Sequence, residues 1–394
     1  MEIVEWQKLE PRAPDFLMLA QDYNEKALYS NGWKITDIFP TNSVGIVTAR
    51  DNLCVHFDEV SLMKTVRDFA ALDPEAARQK YKLGADVRDW KVVWAQSDLS
   101  RQPISKRFVQ SLVYRPFDSR LTYYTGHSRG IHCYPRDDVM RHMIRENVGI
   151  ITTRITKDDW SASVTDTLAA HKSGSRYDIS YIFPLYLYPP VPGQRHTKSN
   201  PSGDFSGEPR IENITPAFRK LLDEKYELHF SSEEVFGYIY AVLYAPTYRT
   251  KYAGFLRIDF PRVPFPESAK DFETLSGLGW TLMQAHLLRE LPRRGLAACH
   301  GKGGHLVEAV HYSPAEKAIT INKTKIFKPV PQAVWDFRVG GYQVLDKYLK
   351  SRKGRALSLD EINHVSAIAD SLAFTIEQMA RIDEAYRAAF PDRG

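Results

Sequence analysis

Four runs of β-branched and aromatic residues, Val109 to Tyr114, Leu121 to Tyr124, Val148 to Thr153 and Ile179 to Tyr188, constrain this chain more than any other feature. Such side chains fit a pleated, half-buried surface, so the runs predict strands through the middle of the sequence. A helix from Arg136 to Asn147 separates the second run from the third. Helical spacing dominates elsewhere. The expected fold class is α+β, a mixed, β-rich core with surrounding helices and a long C-terminal helix.

The helical segments carry clear start signals. Asp58 caps a helix through Leu72 whose apolar positions are Val60, Met63, Val66, Phe69 and Ala70. Asp73-Pro74 opens a short polar helix, and Asp89 to Trp94 reads as a partly buried segment. Thr215-Pro216 marks another start, and Ser231 to Glu234 is a capping box ahead of Val235 to Leu243. Ala269 to Leu288 keeps helical period, Lys317 to Pro329 alternates like a strand, and Ser358 with Glu361 opens a helix to Ala389. The stripe Ile362, Val365, Ile368, Leu372, Ile376, Met379 and Ile382 is a packing face.

Composition excludes some classes and identifies none. With 43% hydrophobic and 26% charged residues the chain is globular rather than disordered, and its 394 residues allow a sizeable core. A net charge of +5 is too mild to mark a polyanion-binding protein on its own. Cys54, Cys133 and Cys299 lie far apart, which argues against a disulfide framework and for a reducing cytoplasm. No apolar signal core and no membrane-length apolar stretch is present.

The motifs of several chemistries are missing. An amino-methyltransferase needs a polar residue before Pro-Pro and an aromatic after it, yet Tyr188-Pro189-Pro190-Val191 has neither and reads as a strand terminator. Gly295 to Gly303 has the wrong spacing for a phosphate loop and lacks its hydroxyl. Cys299, His300, His305 and His311 match no standard zinc spacing, and Asp137-Asp138 and Asp158-Asp159 are adjacent pairs whose side chains point apart. No catalytic residue and no metal ligand is assigned.

What remains is basic and aromatic. Arg101, Lys106, Arg107, Arg115, Arg120, Arg129, Arg136, Arg141 and Arg145 are interleaved with Tyr114, Tyr123, Tyr124, His127, His132 and Tyr134. That mixture suits phosphate contact, guanine readout and stacking, and it equally suits a solvated face over buried tyrosines. Arg154, Lys157, Lys172 and Arg176 follow the third strand run, and Arg195, His196 and Lys198 lie in the Pro/Gly/Ser-rich stretch Pro189 to Pro209, which reads as a mobile loop. Further cations, Lys323, Lys325 and Lys328 and then Lys347, Lys350, Arg352, Lys353 and Arg355, suit either phosphate contact or helix termini. Within Tyr114 to Arg120, Arg115 and Asp118 are expected to form a fold-locking ion pair beside the buried ring of Phe117.

Tyr114-Arg115-Pro116-Phe117-Asp118-Ser119-Arg120, Tyr123-Tyr124, Pro135-Arg136, Asn147 to Ile150, Asp259 to Phe265 and Trp335 to Leu349 together resemble the C-terminal specificity domain of single-chain Type ISP restriction-modification enzymes. The resemblance runs from about Trp33 to Ile382. It implies sequence-specific recognition of double-stranded DNA that presents a target adenine to an associated N6-adenine methyltransferase and a helicase-nuclease. S-adenosylmethionine, ATP and magnesium would belong to those partner parts and not to this chain. Residues 1–100 would then be a junction segment following a methyltransferase domain, with Asn42 to Asp51 at the junction, and 101–394 the recognition domain.

The DNA-contact candidates are Arg115, Arg120, Tyr123, Tyr124, Arg129, Arg136, Arg154, Lys157, Lys172, Arg176, Arg195 and Lys198. Motifs shared by a family whose members read different sequences suit fold or phosphate contact, so Thr153 to Arg176 and Val191 to Arg210 are the better base readers. Two rivals remain: a stand-alone nuclease whose carboxylates converge only in the fold, and a protein-interaction remnant that binds no DNA.

Overall fold

The computed structural model describes residues 23–189 and 210–391, and the architecture is α+β as expected. Arg195, His196 and Lys198 lie outside the described residues. The hairpin forms where the strand pattern places it: Val109–Arg115 pairs antiparallel with Asp118–Tyr123, and Leu168–Ala169 joins its other edge in parallel. Gly149–Thr153 lies inside a second sheet of order Ser43–Val44, Ser180–Pro184, Gly149–Thr153, Ala162–Thr165. All five residues of Gly149–Thr153 are buried because both faces are covered. Ile150 packs among the large helices, and Ile151 faces Leu112, Met140 and Met143.

Three local expectations need correction. The run Ile179 to Tyr188 is two strands, Ser180–Pro184 and Tyr186–Leu187, interrupted at Leu185. Lys317 to Pro329 is likewise two strands, Ala318–Thr320 and Ile326–Lys328, because Asn322 Oδ1 accepts from the amides of Thr324 (2.9 Å) and Lys325 (2.8 Å) and turns the chain. With Ala298–His300 and His311–Ser313 they build a four-stranded antiparallel sheet. Asp58 caps the helix Glu59–Ala71 as expected, but its core face is Leu62, Met63, Val66 and Phe69, and Val60 on the opposite side is 78% exposed.

The largest core is helical. From Val235 onward every residue of the helix Ser232–Tyr244 is buried, and it lies along Ala269–His286. The backbones approach closely at two glycines, since a Cβ on Gly279 would fall 1.9 Å from Gly237 O. The terminal helix Leu359–Ala389 starts at the expected capping box and, at 31 residues, spans roughly 46 Å. It packs Val365, Ile368 and Leu372 on the four-stranded C-terminal sheet and Ile382 and Tyr386 on the helix pair.

The first hundred residues are woven into the rest. Trp33–Lys34 pairs with Arg262–Val263, Ser43–Val44 extends the central sheet, and the cluster around Phe69, Trp90 and Phe108 draws on both sides of residue 100. No boundary between cores falls there. No described helix is long and apolar enough to cross a membrane.

Candidate functional site

The motif Tyr114 to Arg120 makes a turn in which Phe117 takes a positive φ of 59° and Asp118 is driven into the protein, 1% exposed. The expected pair with Arg115 does not form. Asp118 instead accepts from Arg120 Nη2 at 2.8 Å and from Arg352 Nη2 at 2.9 Å, 234 residues away. Arg115 donates to the carbonyls of Tyr114 (2.6 Å) and Lys172 (3.3 Å) and stacks on Tyr114 and Tyr342. The acid of this motif locks the fold, with other arginines than the nearest one.

Arg352 extends the lock. It is 3% exposed, donates to Glu361 Oε1 at 2.9 Å and to Tyr348 O at 3.0 Å, and lies 3.5 Å from the centroid of the Tyr348 ring. Burial works against its charge, but Asp118, Tyr348 and Glu361 outweigh that and raise its pKa. Burial also opposes the charge of Glu361, yet hydrogen bonds from Arg355, the Ser358 amide and Arg352 hold its carboxyl below the ordinary range. Arg120, Arg352 and Arg355 all stack on Phe57, and His364 meets Phe117 O at 2.7 Å. The hairpin turn is thereby fixed to the start of the terminal helix.

The loops beyond the central sheet are built the other way round. Asp158 accepts from Ser175 Oγ (3.4 Å) and Arg176 N (3.3 Å), and Asp178 accepts from Lys157 N (2.8 Å), so the stretches 154–159 and 172–179 are interlocked by carboxylates that face backbone. Tyr342 Oη donates to the carbonyls of Lys172 and Ser175, and Arg176 N donates to Gly340 O. A Cβ on Gly340, whose φ is 56°, would fall 1.6 Å from Gly174 O. The Val339-Gly340-Gly341-Tyr342 turn therefore clamps the loop, which explains why glycines stand there.

What these loops present to solvent is cationic and apolar. Arg154, Lys157 and Arg176 are exposed, Lys172 is half-buried, and Tyr177, Ile155 and Ile179 are 56%, 55% and 48% exposed. Lys172 Nζ donates to Tyr177 O at 2.5 Å, and the Arg176 guanidinium lies 5.2 Å from the Tyr177 ring centroid. Arg154 shares Asp259 with Lys34. Partial burial and then Arg115, Arg176 and Arg120 hold the Lys347 ammonium below its ordinary pKa, so these cations share one field between hairpin, loop and the helix Val344–Lys350. In the sequence Ile179 reads as the start of a strand run, Ile155 falls within the segment Thr153 to Arg176 without being singled out, and Tyr177 is not singled out, because one apolar residue among cations carries no local signal of exposure.

Arg129 and Arg136 form a separate group. Each has a positive φ of 56°, and they sit over Trp94 and Tyr134 respectively. Asp98 anchors the Arg129 loop from beneath, accepting from Thr125 Oγ1, Ile131 N and His127 Nδ1. Burial opposes ionisation of Asp98, but His127, the Ile131 amide and Thr125 prevail and lower its pKa. Tyr123 and Tyr124 are a correction: they are 2% and 1% exposed, in the core, where no solvent-side ligand can reach them. Of the acidic pairs, Asp137 accepts from Tyr124 Oη, and Asp158 and Asp159 diverge, the latter to Arg257. Among the described residues no three His, Cys, Asp or Glu side chains converge as a metal site.

No curated protein sequence matches the chain. Among solved structures it is similar to a DrdV–DNA complex determined by cryo-electron microscopy, with a TM-score of 0.72 and 20% identity over 97% of this chain. It is also similar to a nuclease-deletion mutant of the Type ISP enzyme LlaGI in complex with a DNA substrate mimic (0.66, 17%, 97%). The ATP-dependent Type ISP enzyme LlaBIII bound to DNA is a third (0.71, 15%, 96%). The chain spans 40%, 30% and 26% of those chains, well under half of their length. The family model for the Type ISP C-terminal specificity domain matches residues 37–381, nearly the whole sequence, and the chain belongs to that family.

Proposed function

We propose that this chain recognises one sequence in double-stranded DNA on behalf of a Type ISP restriction-modification enzyme in the cytoplasm. In this reading it presents the target adenine to an N6-adenine methyltransferase part and reports to a helicase-nuclease part, and does no chemistry alone. S-adenosylmethionine, ATP and magnesium belong to those partner parts.

The observation that carries the reading is the interlocked loop pair. Arg154, Lys157 and Arg176 stand at its surface with the half-buried Lys172 beside them, while Asp158 and Asp178 are turned to the backbone. A polyanion therefore meets cations on a rigid base. The DNA in the three solved relatives supports the reading. Arg115 and Arg120, already engaged within the fold, act as supports whose charge reaches phosphate, and Arg129 and Arg136 supply a second backbone contact.

The test is a salt-dependent titration of the full chain against a randomised duplex pool, with sequencing of what is retained. Enrichment of one short, non-palindromic site containing adenine, with affinity falling steeply as salt rises, is the expected result. Retention of no duplex at low salt overturns it.

A further inference from the structure

Three large apolar side chains, Tyr177, Ile155 and Ile179, stand half-exposed on the interlocked loops among Arg154, Lys157 and Arg176. Scattered surface apolar residues need no explanation, but three on a clamped pair of loops do. The backbone beneath them is fixed: Gly174 N donates to Ser180 Oγ (2.9 Å), and Ser175 Oγ accepts from the amides of Tyr177 (3.3 Å) and Asp178 (3.0 Å). Side chains on such a base need little ordering when they meet a partner.

From this arrangement we infer that the loop Lys172 to Ile179 is a base-reading element that enters the major groove. Arg176 reads a guanine edge, and Tyr177 with Ile155 and Ile179 reads the 5-methyl groups of thymine. The inference rests on the proposed function and adds to it the groove and the kind of base. The chemistry selects the groove: thymine methyls and the paired acceptors of guanine are displayed only in the major groove, about 12 Å wide, whereas the minor groove is about 6 Å wide and offers no methyl. Arg176 has the planar fork that guanine O6 and N7 require, and its guanidinium is already placed near the Tyr177 ring. Asp158 and Asp178 are engaged with backbone amides, and the exposed Asp159 has its charge offset by Arg257, 3.6 Å away.

The experiment uses the full chain, first to select its preferred duplex from a randomised pool and then to repeat the selection with Arg176→Lys, Arg176→Ala, Tyr177→Ala and, as a control away from the loops, Lys220→Ala. Both Arg176 variants are expected to lose preference at one G·C position by about tenfold, although Arg176→Lys keeps the charge. Replacing thymine by uracil in the selected duplex is expected to weaken the parent about fourfold at one or more positions, the worth of one buried methyl. Tyr177→Ala should lose the thymine-over-uracil difference at one of those positions, and an undiminished difference at all of them overturns the reading of a methyl by Tyr177.

If the variants lose affinity uniformly and keep the parent's preferences, this inference is overturned while the proposed function stands. A rise in 2-aminopurine fluorescence that depends on Tyr177 also overturns it, because the ring would then be a wedge between stacked bases. A parent chain that retains no duplex overturns the proposed function and this inference together.

Discussion

At the hairpin turn the arginines point inward to a buried acid, and at the interlocked loops Asp158 and Asp178 turn to backbone amides while Lys157 and Arg176 face outward. Asp118 gathers Arg120 and Arg352 in a site that water hardly reaches. Asp158 and Asp178 hold backbone amides and leave Lys157 and Arg176 at the surface. Composition alone cannot separate the two, because both stretches are rich in Arg, Asp and Tyr. The difference is which partner of each charge pair is desolvated: a buried arginine must stay paired, whereas an exposed one keeps its charge available to a ligand.

The strongest way to break the comparison is Asp118→Ala. It leaves the buried Arg352 without its central partner and should cost about 3–5 kcal/mol in urea unfolding, with the site preference of the folded fraction unchanged. A preserved urea midpoint would mean that the turn is no lock.

Acid should also separate the interior from the loops. Burial lowers the pKa of His132 to about 4, and burial with the nearby Arg249 lowers that of His286 to about 3. Thr375 Oγ1 donates to Ser371 O, so it accepts from His286 Nε2, and the ring nitrogen left bare, Nδ1, accepts from Tyr240 Oη at 2.6 Å. Both rings are neutral in the fold. The unfolded chain binds protons on them below about pH 6.5, so stability is full above that pH and falls as pH drops toward the folded values, by roughly 2 kcal/mol per ring at pH 5. Urea midpoints at pH 7 and pH 5 measure this, and equal midpoints would sink the assignment.

Gly340→Ala probes the clamp between the two regions. Its Cβ would collide with Gly174 O, and the expected loss is about 1–3 kcal/mol, with faster hydrogen exchange at the amides of Gly174 and Arg176. Unchanged exchange there would show that the turn does not hold the loop. Lys157→Ala, the mildest change, should leave stability within about 0.5 kcal/mol while lowering the salt dependence of duplex binding by about one counterion. An unaltered slope removes Lys157 from the interface.

Local signals in the sequence were readable where local physics decides. The capping boxes at Ser231 and Ser358, the Asp58 cap and the hairpin around Pro116-Phe117 sit where patterning places them. Long-range choices were not readable. Asp118 has Arg115 and Arg120 close by in sequence, and nothing local says that its second partner is Arg352. Tyr123 and Tyr124 look like stacking residues beside arginines until the sheet turns them inward. The short strand Ala162–Thr165 hides in a stretch without clear period, and the split of Lys317 to Pro329 depends on one asparagine side chain.

The interweaving of distant segments also sets a timetable. Trp33–Lys34 finds its strand partner only in Arg262–Val263, Asp118 must wait for Arg352, and the loop at Lys172 is clamped by Tyr342. On a ribosome adding about 5–20 residues per second, the 234 residues between Asp118 and Arg352 correspond to roughly ten to fifty seconds. Through that interval the Asp118 carboxylate has half its arginines, and the loops lack their brace. The loops at Lys172 are thus among the last parts of the nascent chain to become rigid, and their order reports that the chain behind them has been made.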